Sequence, residues 1–454
     1  MPSLTALRQG ALTGLESAAQ SLGTLAPSAT LGTVMPLLLG KSGDSTCLLL
    51  LGTLLIYVLV ANNLDVFASR CASAGSLATY TQMGLGRTCG IIGGWSYLIA
   101  MTFVVVSSAV CCAFYVDAIL VQAGVGGGGA GRSALVTTVV VLGAWTSAYH
   151  DIRISTKVML VAELVSVATL LLILVWAMLR SGHWIDPAQF HVSRSNFAGI
   201  RLALVLVSTT LAGFESATTL GEEAKGAKRS IPRAMLMSLV PTGLLYLSAT
   251  YCLVALCRRY SVSIDQATLP FQVLADVVGL HWAGWLSSIG IVVSCFVCAM
   301  AGLNAGSRVI FSMARDGLLP ATLGRIHPVH ATPVRAVGVL GIFSIAAPIV
   351  LLAGGVALTA CMDYTIQIDS LGYLGSYLFV CVAAPFFLFR EGCLSGAQVA
   401  SSVGAFLALG AMVGLSIFPL PAPPWCYLPL SFIGILAVGV ALSLRPRAPA
   451  AVTP

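Results

Sequence analysis

Charge is scarce in this chain: Asp, Glu, Lys and Arg make up 9% of its 454 residues, while 58% are hydrophobic. A soluble domain carries about 25% charged and about 45–50% apolar residues, so a water-soluble fold is excluded and nothing substantial is left over for a separate soluble domain. An N-terminal basic region followed by a short apolar run and a small-residue cleavage site is also missing. The first apolar segment is therefore expected to remain as a span rather than be removed as a signal peptide. The 13 cysteines do not form a disulfide framework pattern. Most, including Cys111, Cys112, Cys252, Cys295, Cys298 and Cys381, sit inside apolar runs, where a reduced thiol behaves as a small hydrophobe. No nucleophile, base and orienting group converge, and neither does a metal cluster, which argues against an enzyme and calls for no cofactor or metal. The formal charge of +7 lies in short loops between apolar runs, which membrane topology explains better than nucleic acid binding.

What is present is a series of apolar runs. A bilayer core about 30 Å thick takes about 20 apolar residues per helix. Reading runs between polar loops gives twelve spans, at about 15 to 40, 47 to 67, 90 to 122, 134 to 150, 156 to 179 and 197 to 220, then 234 to 257, 282 to 312, 335 to 354, 364 to 389, 397 to 418 and 425 to 444. Cytoplasmic loops carry the excess of Lys and Arg. With the N-terminus inside, the inner loops hold Arg70, Arg87, Arg153, Lys157, Lys225, Lys228, Arg229, Arg233, Arg308, Arg315, Arg325, Arg335 and Arg390, and the inner termini add Arg8, Arg445 and Arg447. The outer loops hold Lys41, Arg132, Arg180, Arg194, Arg201, Arg258 and Arg259. Both termini are thus expected in the cytoplasm, in a multi-pass protein of the plasma membrane. The run Gly126 to Gly129 reads as a flexible outer turn.

Two spans are unlike lipid-facing helices. The first is interrupted by Ser17, Gln20, Ser21, Gly23, Thr24, Ser28, Thr30 and Thr33, with Pro27 at its middle. Proline removes a backbone donor and clashes with the preceding turn, and freed backbone groups at membrane depth survive only when buried or facing a polar cavity. Gly23 to Ser28 is therefore a candidate ligand site, the alternative being a kinked helix packed through small residues. The sixth span carries Gly213 and the ionisable Glu215 in Leu211-Ala-Gly-Phe-Glu-Ser216, and an intramembrane carboxylate marks function by default. The two stretches also resemble each other: Thr24-Leu-Ala26 precedes Ser28-Ala-Thr-Leu-Gly32, and Thr210-Leu-Ala212 precedes Ser216-Ala-Thr-Thr-Leu-Gly221. Paired interrupted segments in two halves point to inverted-repeat transporters, whose site lies at mid-bilayer between broken helices. The expected fold is all-α and polytopic, with twelve transmembrane helices. Residues 1–196 form a first repeat of five spans, 197–392 a second, and 393–454 add two C-terminal helices and a short tail.

Further motifs follow in order. Gly221-Glu-Glu-Ala-Lys-Gly-Ala-Lys-Arg-Ser-Ile-Pro-Arg233 follows span six as a polar inner loop. Asn304, Arg308 and Met313-Ala-Arg-Asp-Gly-Leu-Leu-Pro320 come with span eight, then His327-Pro328 and Thr332-Pro333. Ser73-Ala-Gly-Ser-Leu-Ala-Thr-Tyr80 and Gly93-Gly-Trp95 lead into span three. With these residues the chain resembles the amino acid–polyamine–organocation (APC) superfamily over essentially its whole length. That implies a LeuT-like 5+5 inverted repeat and an amino acid permease working by alternating access. One departure is Gly226-Ala227, where the family has Asn-Pro after the lysine, so this loop is expected to turn differently.

By that resemblance, a substrate carboxylate would meet free backbone N–H groups of the unwound stretch Thr24, Leu25, Ala26, Pro27 and Ser28, while its ammonium would meet carbonyls near Gly23 and at Ala212, Gly213 and Phe214. Phe214 would gate or line the pocket. Some relatives place a lysine in span five that substitutes for sodium, and that position here is Ser166. One turn earlier, Glu163 is either a cation or proton site or a partner of Arg153 or Lys157 near the inner interface, the second being preferred. Ser294 is followed by Cys295, so the hydroxyl pair that favours sodium is missing, and proton coupling or exchange leads over sodium. Glu215 is a candidate titrating group or, equally, an acid bonded to free backbone amides. Asp369, near Gln367, lines a pocket for a cationic side chain or lies by the outer mouth.

Plainer readings apply elsewhere. Cys295 and Cys298 have metal-like spacing but no nearby histidine, and read as core packing. His327 and His330 read as surface positions. Gly410 and Gly414 fit a close helix contact. A carrier of a cationic amine or polyamine is the runner-up to an amino acid permease. A non-transporting sensor is less favoured, because only about ten residues follow the last span. The expected partners are a small-molecule substrate, the lipid bilayer and a proton.

Overall fold

The computed structural model describes residues 7–149, 152–182, 184–190, 197–328 and 330–444. Arg194, Arg445 and Arg447, and the side chains of Arg153 and Lys157, lie outside the described residues, as does His150 at the end of the fourth expected span.

The described chain is helical throughout, with one isolated backbone bridge between Leu12 and Ala224. Its first helix starts at a capping box, in which Thr13 and Glu16 each satisfy the other's backbone N–H, leaving fewer orphan donors at the end of α1 (Gly14–Leu25). Ala26 then takes a left-handed φ of 42° and ends α1, and Pro27 starts α2 (Pro27–Ser42) at a position where its missing donor costs nothing. After a short 3-10 turn come α3 (Thr46–Ala68), α4 (Leu77–Leu85), α5 (Arg87–Gln122), α6 (Ala130–Tyr149) and α7 (Ile152–Ser181). The second break separates α8 (Phe197–Thr209) from a 3-10 segment, Phe214–Leu220, with Gly213 at φ 96° between them. The rest comprises α9 (Ala227–Tyr260), α10 (Pro270–Val277), α11 (His281–Arg315), α12 (Val334–Ala353), α13 (Leu358–Arg390), α14 (Gly396–Ile417) and α15 (Tyr427–Leu444).

Among the described residues, ten stretches are long and apolar enough to cross a membrane. The first, Gly14–Ala68, runs through α1, α2 and α3 together, and α6 is not among the ten. The chain is thus a polytopic helical membrane protein, and the ten stretches stand against a sequence reading of twelve spans. α5 is the central column, packed most extensively on α13 and α11. α14 and α15 lie at the edge, with Leu407, Leu430, Ile433 and Val438 exposed, as expected of side chains facing hydrocarbon rather than protein.

Three expectations change here. The polar stretch after span six is only partly loop: Gly226, at φ 57°, is the N-cap of α9, so Lys228, Arg229 and Arg233 ride on its first turns, exposed. Arg308 is not a loop cation, because α11 continues well past its apolar run and buries the side chain to 1% exposure. Gly410 and Gly414 make no close helix contact within the chain; a Cβ at either would meet nothing within 4 Å.

Candidate functional site

The two breaks meet. Ser21 donates from its hydroxyl to the Phe214 carbonyl at 2.6 Å and accepts from the Ala217 N–H at 3.0 Å. Thr24 and Ser216 share a hydroxyl–hydroxyl bond of 2.8 Å. Gly213 is required at the crossing: a Cβ there would sit 2.5 Å from Thr24 Cγ2, in a backbone conformation L side chains rarely adopt. Freed carbonyls find donors on neighbouring helices, Leu25 from Tyr246 at 2.8 Å and Ser208 from Tyr57 at 2.7 Å. Backbone groups without helical partners are thereby satisfied inside the protein, as a low-dielectric surrounding demands.

A cavity of about 60 Å³ lies at this crossing, lined by Thr24, Leu25, Ala26 and Ala29 of the first break, Ala212 of the second, and side chains of α5, α11 and α13. Asp369 of α13 reaches it, 3% exposed. Its carboxylate accepts from Ser107 at 3.1 Å, Thr209 at 2.9 Å and Ser370 at 3.4 Å. No lysine, arginine or histidine lines the cavity. Asp369 thus lies on a cavity wall. A larger recess of about 360 Å³ shares Thr33 with the cavity and is lined by Asp265, Asp363, Tyr115 and Trp425 among others.

The remaining candidates fall around the cavity. Glu215 is fully buried and accepts from the Gly213 N–H at 3.1 Å and from the Tyr377 hydroxyl. The contact with a backbone amide at the break is compatible with either expected role, titrating group or amide-bonded acid. Glu163 does not reach toward the inner interface. It lies at the first break, its Oε1 accepting the Ser28 N–H at 2.7 Å, because α7 packs along α1 and α2 there. Ser294 accepts the Ala29 N–H at 3.0 Å, and Ser166 donates to the Ala162 and Gly290 carbonyls at 2.9 and 3.1 Å. Gly23, Pro27, Ser28, Gly213, Phe214, Glu215, Glu163, Ser166 and Ser294 are outside the cavity lining. Phe214 does not line it: its ring packs 6.0 Å from Tyr57 and 6.1 Å from Tyr377.

Several contributors escaped the sequence reading. Ser107 and Thr209 hold Asp369, and Cys295 and Cys298, buried in the core as read, also line the cavity, with the Cys298 thiol 3.3 Å from the Thr24 carbonyl. Toward the end of the second break, Arg308 pairs with Glu223 through two bonds of 2.5 and 3.1 Å, and Arg315 pairs with Glu222. Leu12 bonds the same turn through Glu223 and Lys225, so the N-terminal segment, the second break and α11 are tied together. His327 and His330 are half-buried, stacked at 4.8 Å and clustered with Tyr149. Among the described residues no group of three or more His, Cys, Asp or Glu side chains is placed to hold a metal.

The amino acid permease family model matches residues 19–418. The chain is 24% identical over 331 residues to the branched-chain amino acid permease BcaP of Bacillus subtilis, covering 70% of this chain and 68% of BcaP. It is 25% identical over 303 residues to cationic amino acid transporter 4, vacuolar, of Arabidopsis thaliana, covering 62% and 48%. It is 24% identical over 291 residues to the low-affinity putrescine importer PlaP of Escherichia coli, covering 61% of each. The matched stretches thus span about half to two thirds of these relatives.

Proposed function

The chain belongs to the amino acid permease family, a family of transporters, and from that premise we propose that it is a secondary transporter carrying a small ammonium-bearing solute, an amino acid or an amine, by alternating access. The observation that carries this reading is the cavity where the two interrupted helices cross, with Asp369 as the only charged side chain on its wall. A buried carboxylate without a cation beside it is unfavourable unless a proton or a positive ligand completes it.

The layout that fits is twelve spans in two inverted repeats, 1–196 and 197–392, with two further helices, both termini cytoplasmic and the plasma membrane as the site of action. One bundle would rock against the other around the crossing. The Arg308–Glu223 and Arg315–Glu222 pairs would hold the inner side closed. Coupling is assigned to a proton or to exchange, not sodium. Glu215 is the proton carrier in this reading: a proton on its carboxylate would weaken it as the acceptor of the Gly213 N–H and loosen the break.

Uptake of radiolabelled amino acids and simple amines into proteoliposomes tests it. Saturable accumulation, accelerated by an inward proton gradient or by preloaded solute, is the expected result. Absence of uptake for every such solute, with or without a pH gradient, would refute the proposal.

A further inference from the structure

The N-terminal end of α2 is where a substrate carboxylate would be expected, since the first-turn amides of a helix point at an anion and the dipole favours it. In this chain every such donor is already used. Ala26 donates to the Leu22 carbonyl at 2.9 Å, Pro27 has no N–H, and Thr30 donates to the Ala26 carbonyl at 2.9 Å. The Ser28 N–H goes to Glu163 at 2.7 Å and the Ala29 N–H to Ser294 at 3.0 Å. Glu163 is 1% exposed and reaches the break from α7. The chain thus supplies its own anion to the position a ligand anion would otherwise take.

Independently, the cavity at the break has one charged residue, Asp369, among its described wall residues, and no cation. A ligand carboxylate placed there would face Asp369 with no free amide or cation to receive it, and like charges at close range in a dry site repel strongly. Asp265 and Asp363 line the neighbouring recess, where Lys41 stands 3.5 Å from Asp363 and over the Trp425 ring. The cavity of about 60 Å³ matches an ammonium head, and the recess that shares Thr33 has room for a tail.

We propose that Glu163 is a tethered carboxylate occupying the amide cradle of the first broken helix, so that the transporter selects amines carrying no carboxylate, with Asp369 receiving the ammonium. This deepens the proposed function and rests on it, because it presumes that the cavity binds the carried solute. Glu163 acts here as a positioning and specificity residue: it touches the break, not the ligand.

The test compares compounds that differ only by the carboxylate: cadaverine with lysine, isobutylamine with valine, phenethylamine with phenylalanine. Each competes for uptake, and each is scored by thermal shift, on the full chain in lipid. The expected result is at least a tenfold preference for the amine within any pair that binds. In Glu163→Ala, which frees the Ser28 N–H, the preference should shrink by a comparable factor as the amino acid gains a site. Equal or tighter binding of the amino acids by the native chain overturns the inference, as does a folded Glu163→Ala variant whose preference is unchanged. If that variant fails to fold, the native preference decides the question alone. Failure of all six compounds to bind or move overturns the transport reading itself, a result distinct from binding without discrimination.

Discussion

The hydroxyls of Thr24 and Ser216 are hydrogen-bonded at 2.8 Å although 192 residues separate them, and this contact joins the two helix breaks at one point. Both are buried, so their coupling should be measurable. A double-mutant cycle of Thr24→Val and Ser216→Ala, read by thermal denaturation in detergent, is expected to give an interaction term of about 0.5–3 kcal/mol. Strict additivity would mean that the breaks do not act as a unit.

Gly213 should tolerate no side chain. At φ 96°, with Thr24 Cγ2 2.5 Å from an added Cβ, Gly213→Ala carries a left-handed backbone strain of about 1–2 kcal/mol besides the clash. A lower melting temperature together with reduced transport per folded molecule is expected. Native stability and native transport would show that the crossing is looser than described.

The Arg308–Glu223 pair is 2% exposed on each side. Removing one partner leaves a buried charge, so Arg308→Met or Glu223→Leu alone should cost about 3–5 kcal/mol, whereas the two together should recover most of it. Melting temperatures of the two single variants and the double variant check this. A double variant as unstable as either single one would contradict it.

Orientation can be read from Cys393, exposed after α13 in a loop assigned to the cytoplasm. A membrane-impermeant maleimide should label it in inside-out vesicles and not in right-side-out ones, with Cys393→Ser as the control. The reverse pattern would invert the topology.

The breaks at Pro27 and Gly213 could be found from the chain alone, because proline and glycine carry their conformational meaning locally and the polarity around them is abnormal for a span. What the breaks face could not. Glu163 reaches Ser28 across 135 residues, and nothing local separates that contact from an inner-interface ion pair. Phe214 read as a pocket residue because a gating aromatic was expected beside the break, yet the short 3-10 segment Phe214–Leu220 has no apolar repeat from which to infer the direction of its first side chain. Arg308 read as a loop cation because hydropathy falls before α11 ends, and charge counting does not register a buried partner such as Glu223. Asp369 was recognisable as costly in a span, but Ser107 and Thr209, the hydroxyls that hold it, come from other helices.

The central claim is that the cavity at the helix crossing binds the transported solute through Asp369. The most direct measurement is amine uptake and thermal stabilisation by the amine in Asp369→Asn, which keeps the size of the side chain and the acceptor for Thr209. The account predicts a folded variant whose amine affinity falls at least tenfold and whose uptake drops to background. Uptake and stabilisation equal to those of the native chain would contradict it.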